Sequence, residues 1–118
     1  MANYSIFNAN NDARTELHDV LGLTGAEISI NNLPAGAGVP FVHHHKKNEE
    51  IYIVLSGKGK AVLDGETVAL KAGDFMKVAP AAKRQFSAAD DEGICFACIH
   101  VRENSLEEYT MTDAEIDQ

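Results

Sequence analysis

From Ala26 to Val101 the chain is a succession of strand-length pieces separated by turns. AEISINNL, EIYIVLSG, KGKAVLDG, ETVALKAG, DFMKVAP, RQFSA and GICFACIHV follow one another at close spacing. Many short strands joined by glycine-rich turns indicate an antiparallel sandwich or barrel. In AEISINNL, Ile28 and Ile30 alternate with polar neighbours, the period of a strand. LDGE, Leu63 to Glu66, places an Asp-Gly pair between two alternating runs, a signal for a two-residue hairpin. PAGAGVP, Pro34 to Pro40, is a loop by its glycine and proline content.

The two ends have a different texture. YSIF, Tyr4 to Phe7, reads as a short strand. NDARTELHDVLG reads as one short helix, capped by Asn11 or Asp12, with Leu17, Val20 and Leu21 as its apolar stripe and Gly22 as its stop. His18 lies at the margin of that stripe, where no catalytic role is expected. Near the C-terminus, Thr112 followed by Glu115 is a capping-box pattern, so a short terminal helix or an extended arm is expected to cover the barrel.

The 118 residues fit one domain, 1–118, with a barrel core at about 26–101, and 45% hydrophobic residues suffice for a packed interior. A formal charge of −8 repels phosphate backbones, so no nucleic acid partner is expected. No apolar run approaches the ~20 residues of a membrane helix, so no membrane partner is expected either. The N-terminal MANYSIFNANNDAR lacks the basic start and apolar block of a signal peptide, which makes a cytoplasmic location the expectation. IYIVL, Ile51 to Leu55, is apolar on both alternating faces, unlike a strand with one wet face. Its outer side must be covered by the N-terminal segment, the C-terminal arm or a second subunit, and a homodimer is expected. Cys95 and Cys98 have C-x-x-C spacing, but on a strand they face opposite ways, too far apart for a disulfide, and read as small packing residues.

FVHHHKKNEEIYIVLSG, Phe41 to Gly57, carries the chemistry. On a strand, His43 and His45 share a face about 6.6 Å apart, and His44 points away. Two imidazoles on one face can grip a metal ion. KKN can turn the chain back, so that either Glu49 or Glu50 faces the two histidines. Phe41, on the same face, should line the pocket.

This stretch resembles the first motif of the cupin superfamily, G(x)5HxH(x)3-4E(x)6G: His43-x-His45, four residues, Glu50, six residues and Gly57 fit it, while Gly38 lies one residue too close to His43. The second cupin motif, G(x)5PxG(x)2H(x)3N, is matched only in part. Gly73 and Pro80 stand with one extra residue between them, Ala82 replaces the glycine, Gln85 the histidine and Ala89 the asparagine. The resemblance covers roughly residues 26 to 101. It implies an all-β fold, an antiparallel double-stranded β-helix or jelly-roll barrel, here with a short N-terminal helix and a C-terminal arm or helix. It also implies one divalent metal ion, zinc, iron, manganese or nickel, held by His43, His45 and Glu50, with Gln85 at the fourth position. Gln85 then either ligates the metal or orients a substrate beside a three-residue site; a site with weak or no metal is the third outcome.

With Glu50 inward, Tyr52 and Val54 face inward too, and Glu49, Ile51, Ile53 and Leu55 face outward. Tyr52 should line the pocket, either as a hydrogen-bond donor to substrate or as a core tyrosine. On the last strand Phe96, Cys98 and His100 share one face. If that face is interior, His100 replaces the missing fourth ligand or carries a proton; otherwise it is structural. Tyr52 and His100 are therefore the catalytic candidates. Met76 and Val78 read as barrel-wall packing. Lys83 and Arg84 flank Gln85 and read as solvated rim residues; turned inward, either can bind a carboxylate or phosphate.

Two functions compete. One is a metal-dependent cupin enzyme acting on a small polar molecule by Lewis-acid isomerase, lyase or dioxygenase chemistry. The other is a non-catalytic cupin that binds a small ligand with weak or no metal.

Overall fold

A computed structural model of the chain describes residues 2–117. Its elements run β1 (Arg14–Glu16), α1 (His18–Leu21), β2 (Glu27–Leu33), β3 (Asn48–Leu63), β4 (Glu66–Lys71), β5 (Phe75–Val78), β6 (Arg84–Ala88) and β7 (Ile94–Arg102), with a 3-10 turn at Thr110–Thr112. Every strand pairing is antiparallel. The antiparallel barrel expected from the strand pattern, in the jelly-roll form that the cupin resemblance implies, is present.

The barrel is organised by β3. EIYIVLSG and KGKAVLDG, read from sequence as two strands, form one strand of 16 residues. Its first half lies between β7 and β5, and its second half between β4 and β6. The register shifts between Val54 and Ser56. Gly57, at φ 78°, follows at once, and a Cβ there would overlap the Gly93 carbonyl. The strand bends from one layer into the other at a position that tolerates only glycine. One layer is then β1-β2-β7-β3-β5 and the other β4-β3-β6. Asp64 and Gly65 both have positive φ and close the β3–β4 hairpin where the Asp-Gly pair indicated it.

Between the layers Tyr52, Phe86 and Phe96 pack ring against ring, with centroids 4.2 Å (Tyr52–Phe86) and 5.4 Å (Phe86–Phe96) apart. Val54, Ala61, Leu70, Val78 and Ile94 complete this core, and Met76 packs against it. Glu50, Tyr52 and Val54 are buried, as strand alternation required. Outside, cross-strand neighbours align Ile28 with Ile99 and Ile51, and Ile30 with Ala97 and Ile53. The outer face of β2-β7-β3 is therefore apolar across three strands.

Both ends depart from the sequence reading. Tyr4 to Phe7 forms no strand, and Ile6 is fully in solvent. The expected helix over residues 11–22 shrinks to His18–Leu21, with Leu17 and not Asn11 or Asp12 at its start; Gly22 ends it as expected, at φ 69°. Arg14–Glu16 instead adds a strand to the edge of β2. A helix of under four turns is marginal by itself, whereas the open edge of β2 supplies a ready ladder. At the C-terminus Thr112 does not cap a helix: its hydroxyl donates to the Tyr109 carbonyl at 3.0 Å, within the 3-10 turn. Residues 103–117 are exposed throughout and do not cover the barrel.

Candidate metal centre

Residues 37–45, outside any named strand, run alongside β6. Val39 N–H donates to Phe86 O (2.9 Å), His43 and Arg84 exchange both backbone hydrogen bonds (3.1 and 2.9 Å), and His45 N–H donates to Pro80 O (2.8 Å). These bonds fix the alternation. His43 and His45 turn into a cavity of about 560 Å3, and His44 is exposed. β3 brings Glu50 and Tyr52 to the same cavity, and β7 brings Cys98 and His100, in the register Glu50↔His100 and Tyr52↔Cys98. Phe41 and Phe96 also line it. Cys95 lies on the opposite face, and both cysteines are free.

The carboxylate of Glu50 is the hub. Oε1 accepts from the Tyr52 hydroxyl at 2.6 Å and from Arg84 Nη1. Oε2 lies 2.5 Å from His100 Nε2, 3.1 Å from Cys98 Sγ and 3.3 Å from His45 Nε2. Burial by itself would raise the Glu50 carboxyl, but hydrogen bonds from His100, Tyr52, Cys98 and Arg84 outweigh it and hold the group well below the usual carboxylate range. Glu50 is ionised at neutral pH. Burial pushes the Tyr52 hydroxyl and the Cys98 thiol up, and the negative carboxylate beside them adds to both shifts, so both keep their protons.

The histidines are poised differently. Burial lowers the pKa of His43 and His45 more than the Glu50 charge raises it, so both rings are neutral at pH 7 and carry lone pairs. His43 Nδ1 and His45 Nε2 are buried with no hydrogen-bond partner among the described residues. His45 Nε2 is within ion-pair distance of Glu50 but not aligned for a hydrogen bond. Two unpartnered buried nitrogens in one cavity require an explanation. Donor atoms of His43, His45 and Glu50 lie within 4.8 Å of one another, as do those of Glu50, Cys98 and His100. The two clusters share Glu50, and the rings of His45 and His100 meet edge-on at 4.6 Å. Two neutral imidazoles, a third imidazole and a carboxylate are a donor set suited to a divalent transition ion.

Gln85 has no place in this cavity. On β6 the buried residues are Arg84, Phe86 and Ala88; Gln85 turns the other way, beside Val62 and Lys83, and donates to Val39 O at 2.9 Å. Although Gln85 keeps the motif's spacing from Pro80, it is Arg84 of the pair that faces inward. Arg84, read as a solvated rim residue, is 0% exposed. Its guanidinium donates to Glu50 Oε1 and to the carbonyls of Ala79, Pro80 and Ala82 at 2.6–2.9 Å. Lys83 does remain exposed. Three further polar residues of the cavity had no sequence signal attached to them: Arg14, Ser29 and Asn31. The alternation of AEISINNL contained the information, since outward Ile28 and Ile30 send Ser29 and Asn31 inward.

The cupin domain family model matches residues 30–100. Among solved structures, the chain is similar to a cupin protein from Bacteroides fragilis, with 60% identity over 100% of both chains and a TM-score of 0.97. It is also similar to a putative sugar phosphate isomerase from Acidithiobacillus ferrooxidans, with 27% identity over 75% of this chain and 58% of that one (TM-score 0.65). A predicted oxalate decarboxylase from Thermotoga maritima shows 25% identity over 64% of each chain (TM-score 0.59). A comparison with curated proteins gives no match.

Proposed function

The chain belongs to the cupin domain family, and from that premise we propose that it is a metal-binding cupin acting on a small polar molecule through Lewis-acid isomerase, lyase or dioxygenase chemistry. One observation carries the reading: His43 Nδ1 and His45 Nε2 are buried and unpartnered, facing the ionised Glu50. We assign His43, His45, Glu50 and His100 as the donors, with His100 in the fourth place. A bound divalent ion at this set supplies polarisation of a substrate carbonyl or carboxylate oxygen. The names of the two more distant structural neighbours, an isomerase and a decarboxylase, support chemistry of that kind.

The roles of the surrounding residues follow from their bonds. Arg84 compensates and orients Glu50, and Tyr52 holds the same oxygen; its proton is committed there, so Tyr52 positions Glu50 instead of meeting substrate. His100 Nε2 lies 2.5 Å from Glu50 Oε2, so the two groups would hold the ion side by side. Phe41 and Phe96 supply an apolar wall that limits water. On the outer face, Ile28, Ile30, Ile51, Ile53 and Ile99 are only partly buried, and Phe75, beside Ile53, is 73% exposed. A second copy of the chain covering this face fits its composition, and a homodimer is part of the proposal.

The test is metal analysis of untagged protein purified without chelator. About one equivalent of metal per chain, abolished by His43→Ala with His45→Ala, is expected; unchanged metal content in that variant would sink the assignment. A second reading rests on the Arg84–Glu50 ion pair, which compensates the carboxylate without any metal. Metal-free protein carrying an ordered organic ligand would favour that non-catalytic binding module.

A further inference from the structure

The cavity has a second polar wall, built by β1 and β2. Ser29 and Asn31 are buried on the inner face of β2, and neither belongs to the metal-ligand cluster. Asn31 Nδ2 donates to Ser29 Oγ at 3.0 Å, and Asn31 Oδ1 accepts from Arg14 Nη1 at 2.8 Å. This line of hydrogen bonds fixes the Arg14 guanidinium at the cavity lining. Arg14 Nε donates to Glu16 at 3.3 Å; both side chains of that pair are more than half exposed, so it contributes little. Nη2 of Arg14 has no partner among the described residues.

The charge balance makes that free edge conspicuous. The other guanidinium of the cavity region, Arg84, is spent on Glu50 and three carbonyls. Arg14 is therefore the guanidinium with donors to spare on the β1-β2 side of the cavity, where Leu33, Val39, Phe41 and Phe86 also line it. Polar side chains are costly to bury unless something binds them, yet this chain places two of them behind one arginine.

We propose that Arg14, positioned by Asn31 and Ser29, binds the carboxylate of a small ligand whose apolar portion lies against Phe41 and Phe86. One planar fork with one free edge suits a carboxylate, whereas a phosphoryl dianion calls for more positive charge. Arg14 is then the specificity-determining residue of the cavity. The inference deepens the proposed function by naming its substrate class, but the anion site is separable from the metal.

The experiment uses benzoate and its neutral counterpart benzamide as probes, titrated by NMR into the full chain, metal-loaded and chelator-treated. Wild type is expected to bind benzoate at least tenfold tighter than benzamide, with shifts in the amides of β2 and β7. Arg14→Gln should weaken benzoate on the order of tenfold or more and leave benzamide unchanged. Arg14→Lys should recover only part of the loss, and metal content should stay at the wild-type level in both variants. Equal binding of the two probes, no binding of benzoate, or benzoate affinity unchanged in Arg14→Gln would each overturn the anion site. Arg14-dependent benzoate binding in protein that takes up no metal would uphold the anion site and overturn the metal-centred function instead.

Discussion

Across the β2-β7-β3 layer, the inner face carries Ser29, Asn31, Glu50, Cys98 and His100, and the outer face carries Ile28, Ile30, Ile51, Ile53 and Ile99. A sheet with one wet face normally has the opposite arrangement. The inner polar groups are not free of cost; each needs a partner. Glu50 has four, Tyr52, Arg84, Cys98 and His100, Asn31 has two, and two histidine nitrogens have none among the described residues. In the proposed function the inner face holds the metal and ligand and the outer face meets a second copy of the chain, on opposite sides of the same three strands.

The sharpest way to break this contrast is to uncouple the inner hub. Arg84→Met should destabilise the fold by about 3–5 kcal/mol in urea unfolding, because it strands the Glu50 carboxylate in the interior. Adding Glu50→Leu should recover much of that loss. A cost below about 1 kcal/mol for Arg84→Met would show that the ion pair does not hold the layer.

Acid should act on the same face. The folded pKa values of His43 and His45 are lowered, so without metal the unfolded chain binds more protons below about pH 6.5 and stability falls as pH drops through that value. Glu50 is also lowered, so its contribution is full above its unfolded value of 4.5 and is lost as pH falls below it. Denaturation midpoints of chelator-treated protein should decline in two stages, and His43→Asn with His45→Asn should flatten the upper one. A pH-independent midpoint between 7 and 5 in wild type would contradict the buried neutral histidines.

The outer face should respond to polarity with little change inside. Ile51→Ser with Ile99→Ser is expected to shift light scattering from dimer to monomer, while the fold loses at most about 1–2 kcal/mol. A wild-type chain that is monomeric at micromolar concentration would remove the assembly half of the contrast.

How far these two faces could be read from sequence depends on strand continuity. Where the backbone stays extended, alternation carries the information unaided. It separates His43 and His45 from His44, puts Tyr52 and Val54 in one row with Glu50 once the resemblance to the cupin motif selects Glu50 over Glu49, and places Cys95 and Cys98 on opposite sides. It fails at breaks. Which residue of β6 enters inward is decided by the turn at residues 79–83, so Gln85 and Arg84 exchange roles. The burial of Arg84 depends on Glu50, 34 residues away, a partner that local pattern does not reveal. The same holds at the N-terminus, where the apolar stripe around Leu17 is a helical signal, but the edge of β2 takes Arg14–Glu16 as a strand. Arg14 then reaches the cavity through a pairing that no short-range feature announces.

The central claim is that the inner face forms a metal centre completed by His100 and not by Gln85. Metal dissociation constants for wild type, His100→Ala and Gln85→Ala test it most directly. His100→Ala should weaken binding on the order of tenfold or more, with Gln85→Ala indistinguishable from wild type. Loss of metal in Gln85→Ala with retention in His100→Ala would contradict it.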